Sequence, residues 1–180
     1  MSNVNLSAAR SFRWLAVAVA GSLTLVAVAA GGPSAAKQRV AINGSLEITR
    51  GGAGGTFKFV PLTTGALKRD AGTFTARGDL GKRVIRRNGQ TVSVAVGTDS
   101  YVGANGTLNV SVRSELVAAG RNYFIEKGTW RVTSGTGAYE GYQGGGTYAA
   151  AGTSDLDGDE LILPPTGKTF FREEGYLAKG

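Results

Sequence analysis

Residues 83–112 read RVIRRNGQTVSVAVGTDSYVGANGTLNVSV, and this stretch decides the fold. Val92, Val94 and Val96 alternate with Thr91, Ser93, Ala95 and Gly97, while Leu108, Val110, Val112 and Leu116 alternate with Asn109, Ser111, Arg113 and Glu115. Period-2 patterning is that of half-buried antiparallel strands, whose successive side chains point to opposite faces. Asn88-Gly89 and Asn105-Gly106 are dipeptides that accept positive φ in two-residue hairpin turns. With such turns Ile85 falls opposite Val92 and Tyr101 opposite Val110. The inward parity then switches from even at Val96 to odd at Tyr101. That switch predicts a β-bulge within residues 97–100, where Gly97 tolerates it.

The same alternation continues to either side. Ile42, Gly44, Leu46 and Ile48 alternate with Asn43, Ser45, Glu47 and Thr49, and Phe74, Ala76, Gly78 and Leu80 alternate with Thr73, Thr75, Arg77 and Asp79. Glycines at 51–55, the run Gly144-Gly145-Gly146 and the acidic residues 155–159 punctuate the rest. No amphipathic helix is predicted after residue 36. About eight short strands with regular turn spacing indicate an all-β sandwich or closed barrel. Gly44, Gly78 and Gly128, inside predicted strands, are where sharply bent barrel strands need room.

The chain has 180 residues with 29 Gly, no Cys, no His and a formal charge of +7. Those absences exclude a Ser-His-Asp triad, a thiolate nucleophile, a His or Cys zinc site and a disulfide framework. Chemistry from Asp, Glu, Lys, Tyr and water remains. Arg10 and Arg13 precede a mostly apolar run over residues 14–30 that ends in small side chains. This is the layout of a secretory signal peptide, with cleavage expected between Ala29 and Ala36. Residues 1–36 are therefore read as signal peptide and short linker, and the product as secreted or held in the cell envelope. The alternative is an uncleaved membrane anchor, the only membrane contact the sequence implies.

Residues 37–180 then form one domain of 144 residues, in which 18 basic side chains face 13 acidic ones. Lys82, Arg83, Arg86 and Arg87 cluster on the hairpin around Asn88-Gly89; the cluster reads as a solvated face or as a surface for an anionic partner. Export argues against nucleic acid. Asp155, Asp157, Asp159 and Glu160 imitate the first half of a calcium loop. The twelfth position is Thr166, and Pro164-Pro165 interrupts, so no metal is expected. No organic cofactor is expected either.

The most specific stretch is GTWRVTSGTGAYEGYQGGGTY over residues 128–148. A strand carrying Trp130 and Val132 enters a Ser-Gly-Thr-Gly turn, Tyr139 follows, and a glycine-rich strand leaves. This resembles the turn signature of the dirigent and allene oxide cyclase superfamily, and is closest to the bacterial secreted proteins called allene oxide cyclase barrel-like. Segments like Gly72-Thr73-Phe74-Thr75-Ala76, Gly97-Thr98-Asp99-Ser100-Tyr101, Gly106-Thr107-Leu108 and Glu174-Gly175-Tyr176 recur there in the same order. The resemblance covers nearly all of residues 37–180. It implies a single antiparallel eight-stranded β-barrel with a pocket along its axis, and self-association, the plant relatives being trimers. Allene oxide cyclases work around an interior glutamate, and dirigent proteins around inward aspartates. Glu47, the acid of the first strand, has the parity opposite to Leu46 and Ile48 and is expected to point outward, so the cyclase motif finds no place there.

Read from the residues alone, Glu126 is the acid that breaks an interior face. Phe124, Glu126, Gly128, Trp130 and Val132 share one parity. A carboxyl beside Trp130 in an apolar barrel has its charged form disfavoured, which raises its pKa toward an acid or base range. The alternative places Glu126 at the barrel mouth, solvated or paired with an arginine. Asp99, at the expected bulge, is re-aimed toward a site or else accepts backbone N–H groups in a turn. Phe124, Trp130, Tyr101, Tyr139 and Tyr142 are expected to line a pocket for an aromatic or lipid ligand or to be plain core, and Tyr148 shares this ambiguity. Three functions follow: a barrel that binds a small apolar molecule, a cofactor-free cyclase or stereo-directing enzyme with Glu126 as acid or base, or a surface interaction protein using the basic hairpin.

Overall fold

The alternating segments all become strands. A computed structural model describes residues 36–49, 52–87, 90–120, 122–153, 156–157, 160–161 and 167–180, without the side chains of residues 79–91 and 154–166. The expected signal peptide and its cleavage site lie outside the described residues. So do the side chains of the basic hairpin cluster and of the acidic loop.

The strands are β1 (Gln38–Thr49), β2 (Gly52–Pro61), β3 (Asp70–Arg87), β4 (Gln90–Gly103), β5 (Gly106–Ala118), β6 (Tyr123–Gly135), β7 (Tyr142–Thr153), β8 (Leu156–Asp157), β9 (Glu160–Leu161) and β10 (Gly167–Lys179). β8 and β9 pair only with each other, whereas the other eight close into an antiparallel barrel in the order β1-β10-β7-β6-β5-β4-β3-β2. A 3-10 turn, Gly137–Tyr139, is the one helical element among the described residues.

One hairpin forms in the expected register, with Ile85 opposite Val92 and two residues between Arg87 and Gln90. Asn88-Gly89 themselves are not among the described residues. The second hairpin is displaced. Gly103 pairs with Gly106, so the turn residues are Ala104-Asn105, and Tyr101 lies opposite Leu108 instead of Val110. The displacement is an even number of residues and leaves the inward face unchanged. Its cause is Asp70, whose carboxylate accepts from the Ala104 N–H at 3.0 Å and the Asn105 N–H at 3.2 Å and so fixes which residues turn. A side chain at Gly103 would run into that carboxylate.

The expected bulge in residues 97–100 is absent. β4 pairs with β5 without interruption from Ser93↔Leu116 to Gly103↔Gly106. The irregularity falls on β3 instead, between Asp79 and Arg83. Val96, expected inside, is 51% exposed, while Val92, Ser93, Val94 and Ala95 are all buried. The inward series on β4 therefore runs Ala95, Gly97, Asp99, Tyr101. A second shift lies between Asn109 and Val110 of β5, where β6 passes from Ser134 to Val132.

The two barrel ends differ. At one end the 62–69 loop folds inward and buries Leu67, held by Gln38, whose side chain bonds the Leu67 N–H, the Leu67 carbonyl and the Thr63 carbonyl. The Ser-Gly-Thr-Gly turn docks beside it, through Thr136 N–H to the Thr107 carbonyl and Ala138 N–H to the Asn105 carbonyl, both at 2.8 Å. Gly137 adopts φ +59° there. Tyr139 is buried against Phe59 and donates to Asp70 at 3.0 Å. The glycines of β7 also have a packing reason. Trp130 pairs with Gly146, which pairs with Gly175, and a Cβ at Gly175 would meet the indole at 2.8 Å.

Asp70 thus ties β3, the β4–β5 turn and Tyr139 into one network. Removing it strands three backbone donors, those of Ala71, Ala104 and Asn105, and a buried hydroxyl, so Asp70→Ala is expected to cost about 3 kcal/mol or more, and Tyr139→Phe about 1 kcal/mol. Urea denaturation of both variants checks this; a loss below about 1 kcal/mol in Asp70→Ala would show that the turn holds without its anchor.

Candidate functional site

Inward positions fill the barrel unevenly. Towards the plugged end the interior is aromatic: Phe74 stacks on Tyr101 with ring centroids 4.9 Å apart, Phe57 meets Tyr101 edge-on at 5.2 Å, and Phe171 lies 4.9 Å from Phe74. Towards the other end the inward residues shrink to Ala53, Ala76, Gly78, Ala95 and Gly97. An eight-stranded barrel is just wide enough for side chains to fill, so small residues on neighbouring strands leave a void. The void measures about 380 Å³ and is bounded by Leu46, Ile48, Phe74, Leu116, Phe124 and Tyr148 as its apolar wall. Asp99, Ser114, Glu126 and Thr169 are its polar groups, with Arg77 on its rim.

Glu126 projects inward from β6, as its parity with Phe124 and Trp130 predicts, and is 8% exposed. It is neither solvated nor paired with an arginine. Its Oε1 accepts a hydrogen bond from the Ser114 hydroxyl, and its Oε2 accepts from the Tyr148 hydroxyl at 3.1 Å. Burial raises its pKa above the usual glutamate value, while these two donors pull it down. Asp99 comes from β4, is also 8% exposed, and forms no turn. Burial pushes its carboxyl up to about 7, with the charge of Glu126 adding to the effect.

A third acid was not foreseen. Glu173 of β10 is fully buried, and neither of its oxygens finds a hydrogen-bond partner among the described residues. It pairs across the sheet with Tyr148 and Ile42. Burial pushes it up to about 8, with Asp99 reinforcing the shift and the nearby Tyr101 hydroxyl, which falls short of a hydrogen bond, opposing it. The phenols of Tyr101 and Tyr148 are raised in turn, first by burial and then by these carboxylates. The signal for Glu173 was present in the parity of Thr169, Phe171, Gly175 and Leu177, all inward.

The other expected lining residues divide. Phe124 borders the cavity, and Tyr101 lies beneath it in the aromatic plug. Trp130 is buried, donates Nε1–H to the Thr147 carbonyl at 3.1 Å, and borders a separate groove of about 950 Å³ together with Tyr142 and Gly144. Tyr139 belongs to the plugged end and not to the cavity. Among the described residues no group of three His, Cys, Asp or Glu side chains is placed to hold a metal ion. The chain matches no family model, no curated protein and no solved structure.

Acids whose folded-state pKa exceeds the unfolded value bind protons that unfolding releases. Their contribution to stability is complete below about pH 4 and is lost as pH rises through about 7 for Asp99 and about 8 for Glu173. Each weakens the fold by up to ~1.4 kcal/mol per pH unit within that window. The melting temperature is therefore expected to be several degrees higher at pH 5 than at pH 8.5, and the slope to flatten in Asp99→Asn and Glu173→Gln. Calorimetry across that range checks it; an unchanged slope in both variants would refute the assignment.

Proposed function

We propose that the barrel binds a small apolar molecule in the cavity between the aromatic plug and the open end. The observation that carries this reading is the unfilled half of the interior. A core of Leu, Val and Phe would have closed it, yet five inward positions are Ala or Gly and about 380 Å³ stays empty. That volume lies in the range of small-molecule sites, roughly 300–1,000 Å³. Apolar walls with a few convergent polar groups are the ordinary make-up of such sites. Lipids and phenolics both fit this description. The reading includes export, carried by the basic, apolar and small-residue sequence of the leader. It also includes membership of the allene oxide cyclase barrel-like proteins, supported by the turn signature and the eight-stranded barrel together.

A second reading has an observation of its own. Asp99 and Glu126 are coupled carboxyls facing one cavity, with Asp99 raised to about 7. A general acid or base works best with its pKa near the operating pH. A cofactor-free isomerase acting on a lipid or phenolic intermediate would use Glu126 and Asp99 in those roles.

N-phenyl-1-naphthylamine, a neutral apolar fluorophore, is expected to brighten and shift to the blue in the presence of the protein. Ala95→Phe, which fills the cavity from the wall, is expected to abolish the response while leaving the barrel folded by circular dichroism. A response that survives Ala95→Phe would place the ligand elsewhere. For the second reading, native mass spectrometry of the secreted protein supplies the retained molecule. Glu126→Gln should then slow its turnover by about 10²-fold or more while binding persists.

A further inference from the structure

The cavity's charge inventory goes beyond a site for an apolar molecule in general. Three carboxyls, Asp99, Glu126 and Glu173, lie inside the barrel, and no lysine or arginine among the described residues is buried with them. Arg77 is the one described cation on the cavity wall, and it is exposed at the rim. Asp99 lines the cavity with no hydrogen bond or ion pair to any described residue. The hydroxyl of Thr169, 1% exposed and on the same cavity wall, also has no partner. Every buried polar group in an interior carries a desolvation cost that a partner normally offsets. An unpartnered carboxyl and an unpartnered hydroxyl, which can accept as well as donate, leave a place on this apolar cavity for a donor, and the uncompensated acids describe its charge.

We infer that the ligand is a primary amine with an apolar body, its ammonium group held at Asp99 and Glu126 and its hydrocarbon against Leu46, Ile48 and Phe124. This rests on the small-molecule reading and names its ligand class. A site meant for a neutral hydroxyl or carbonyl needs only serine, threonine or amide side chains, which cost less to bury than acids. An ammonium group brings three donors and no acceptor, which suits a carboxylate and a free hydroxyl oxygen. Glu173, behind the wall and pushed up to about 8 by burial, does not touch the ligand. The charged and titratable groups facing Asp99 are Glu126 from β6, Glu173 from β10, Tyr148 from β7 and Tyr101 from its own strand, with Arg77 of β3 at the rim. None supplies a buried cation. Binding of an ammonium should therefore draw protons off the acids and strengthen as pH rises.

Isothermal titration with n-octylamine, 1-octanol and octanoate tests this on the whole protein. These share one chain length and differ in the charge of the head; the amine stays cationic from pH 5 to 9. At pH 8 octylammonium is expected to bind at least tenfold more tightly than octanol, with octanoate weakest. The preference should shrink below threefold at pH 5.5, and binding at pH 7 should release protons, seen by comparing buffers of different ionisation heat. In Asp99→Asn combined with Glu126→Gln the preference should vanish while octanol binding persists. Octanol binding as tight as octylammonium in the unaltered protein overturns the inference and leaves the small-molecule reading standing. Failure of all three compounds to bind overturns both.

Discussion

The pairing of β1 with β10, from Gln38↔Leu177 to Ile48↔Gly167, joins the two ends of an antiparallel meander and leaves no barrel strand with a free edge. Without cysteines the chain has no covalent staple, so this long-range ladder closes the structure. Closure also fixes the bore, because strand number and tilt set the diameter of a barrel. What the interior can do then depends only on how the inward positions are filled. At one end Phe57, Phe74, Tyr101 and Phe171 fill it, with Gly44 leaving room for the Phe171 ring, while Gly55 and Gly72 let neighbouring backbones come close. At the other end the inward residues are small, and the same bore becomes a cavity.

Carboxyls in such a bore are costly, and the cost is visible in their raised pKa values. A barrel can sustain them because its backbone polar groups are paired around the ring, so the desolvation cost falls on a few side chains. Glu173 is the extreme case, fully buried and unpaired. Its neutral form is favoured up to about pH 8, so it spends physiological conditions largely as a protonated acid. A glutamine would fill the same space at lower cost to stability at higher pH.

Much of the fold was legible because alternation reports the pleat directly. The inward set of β6, Phe124, Glu126, Gly128, Trp130 and Val132, could be read from spacing, and so could the outward aim of Glu47. The bulge was misplaced because Val92, Val94 and Val96 look like one face. In the structure residues 92–95 are buried on both parities, so alternation there marks no face, and Val96 points to solvent. The turn at Ala104-Asn105 was missed because its anchor, Asp70, is 34 residues away in sequence from Ala104. Glu173 was hidden by Phe170 and Tyr176, exposed aromatics on the opposite parity that blur the face its inward neighbours define. The convergence of Asp99, Glu126 and Glu173 from three strands is a property of closure, and no local pattern encodes it.

Hydrogen bonds decide how these acids divide their protons. Ser114 and Tyr148 both donate to Glu126, and donors favour the ionised form of a carboxyl. Asp99 and Glu173 accept no such bonds among the described residues. The bonds to Glu126 oppose the burial that raises its pKa, and a charge on Glu126 helps to keep the proton on Asp99. The charge on Asp99 would in turn help to keep the proton on Glu173. Removal of the Ser114 hydroxyl would take one of the two donors from Glu126 and push its carboxyl further up. The donors are thus unevenly placed: two at Glu126 on β6, and none among the described residues at Asp99 on β4 or Glu173 on β10. Whatever molecule occupies the space meets acids that differ in their hydrogen bonding, and it is this difference, more than the number of acids, that gives the pocket a direction.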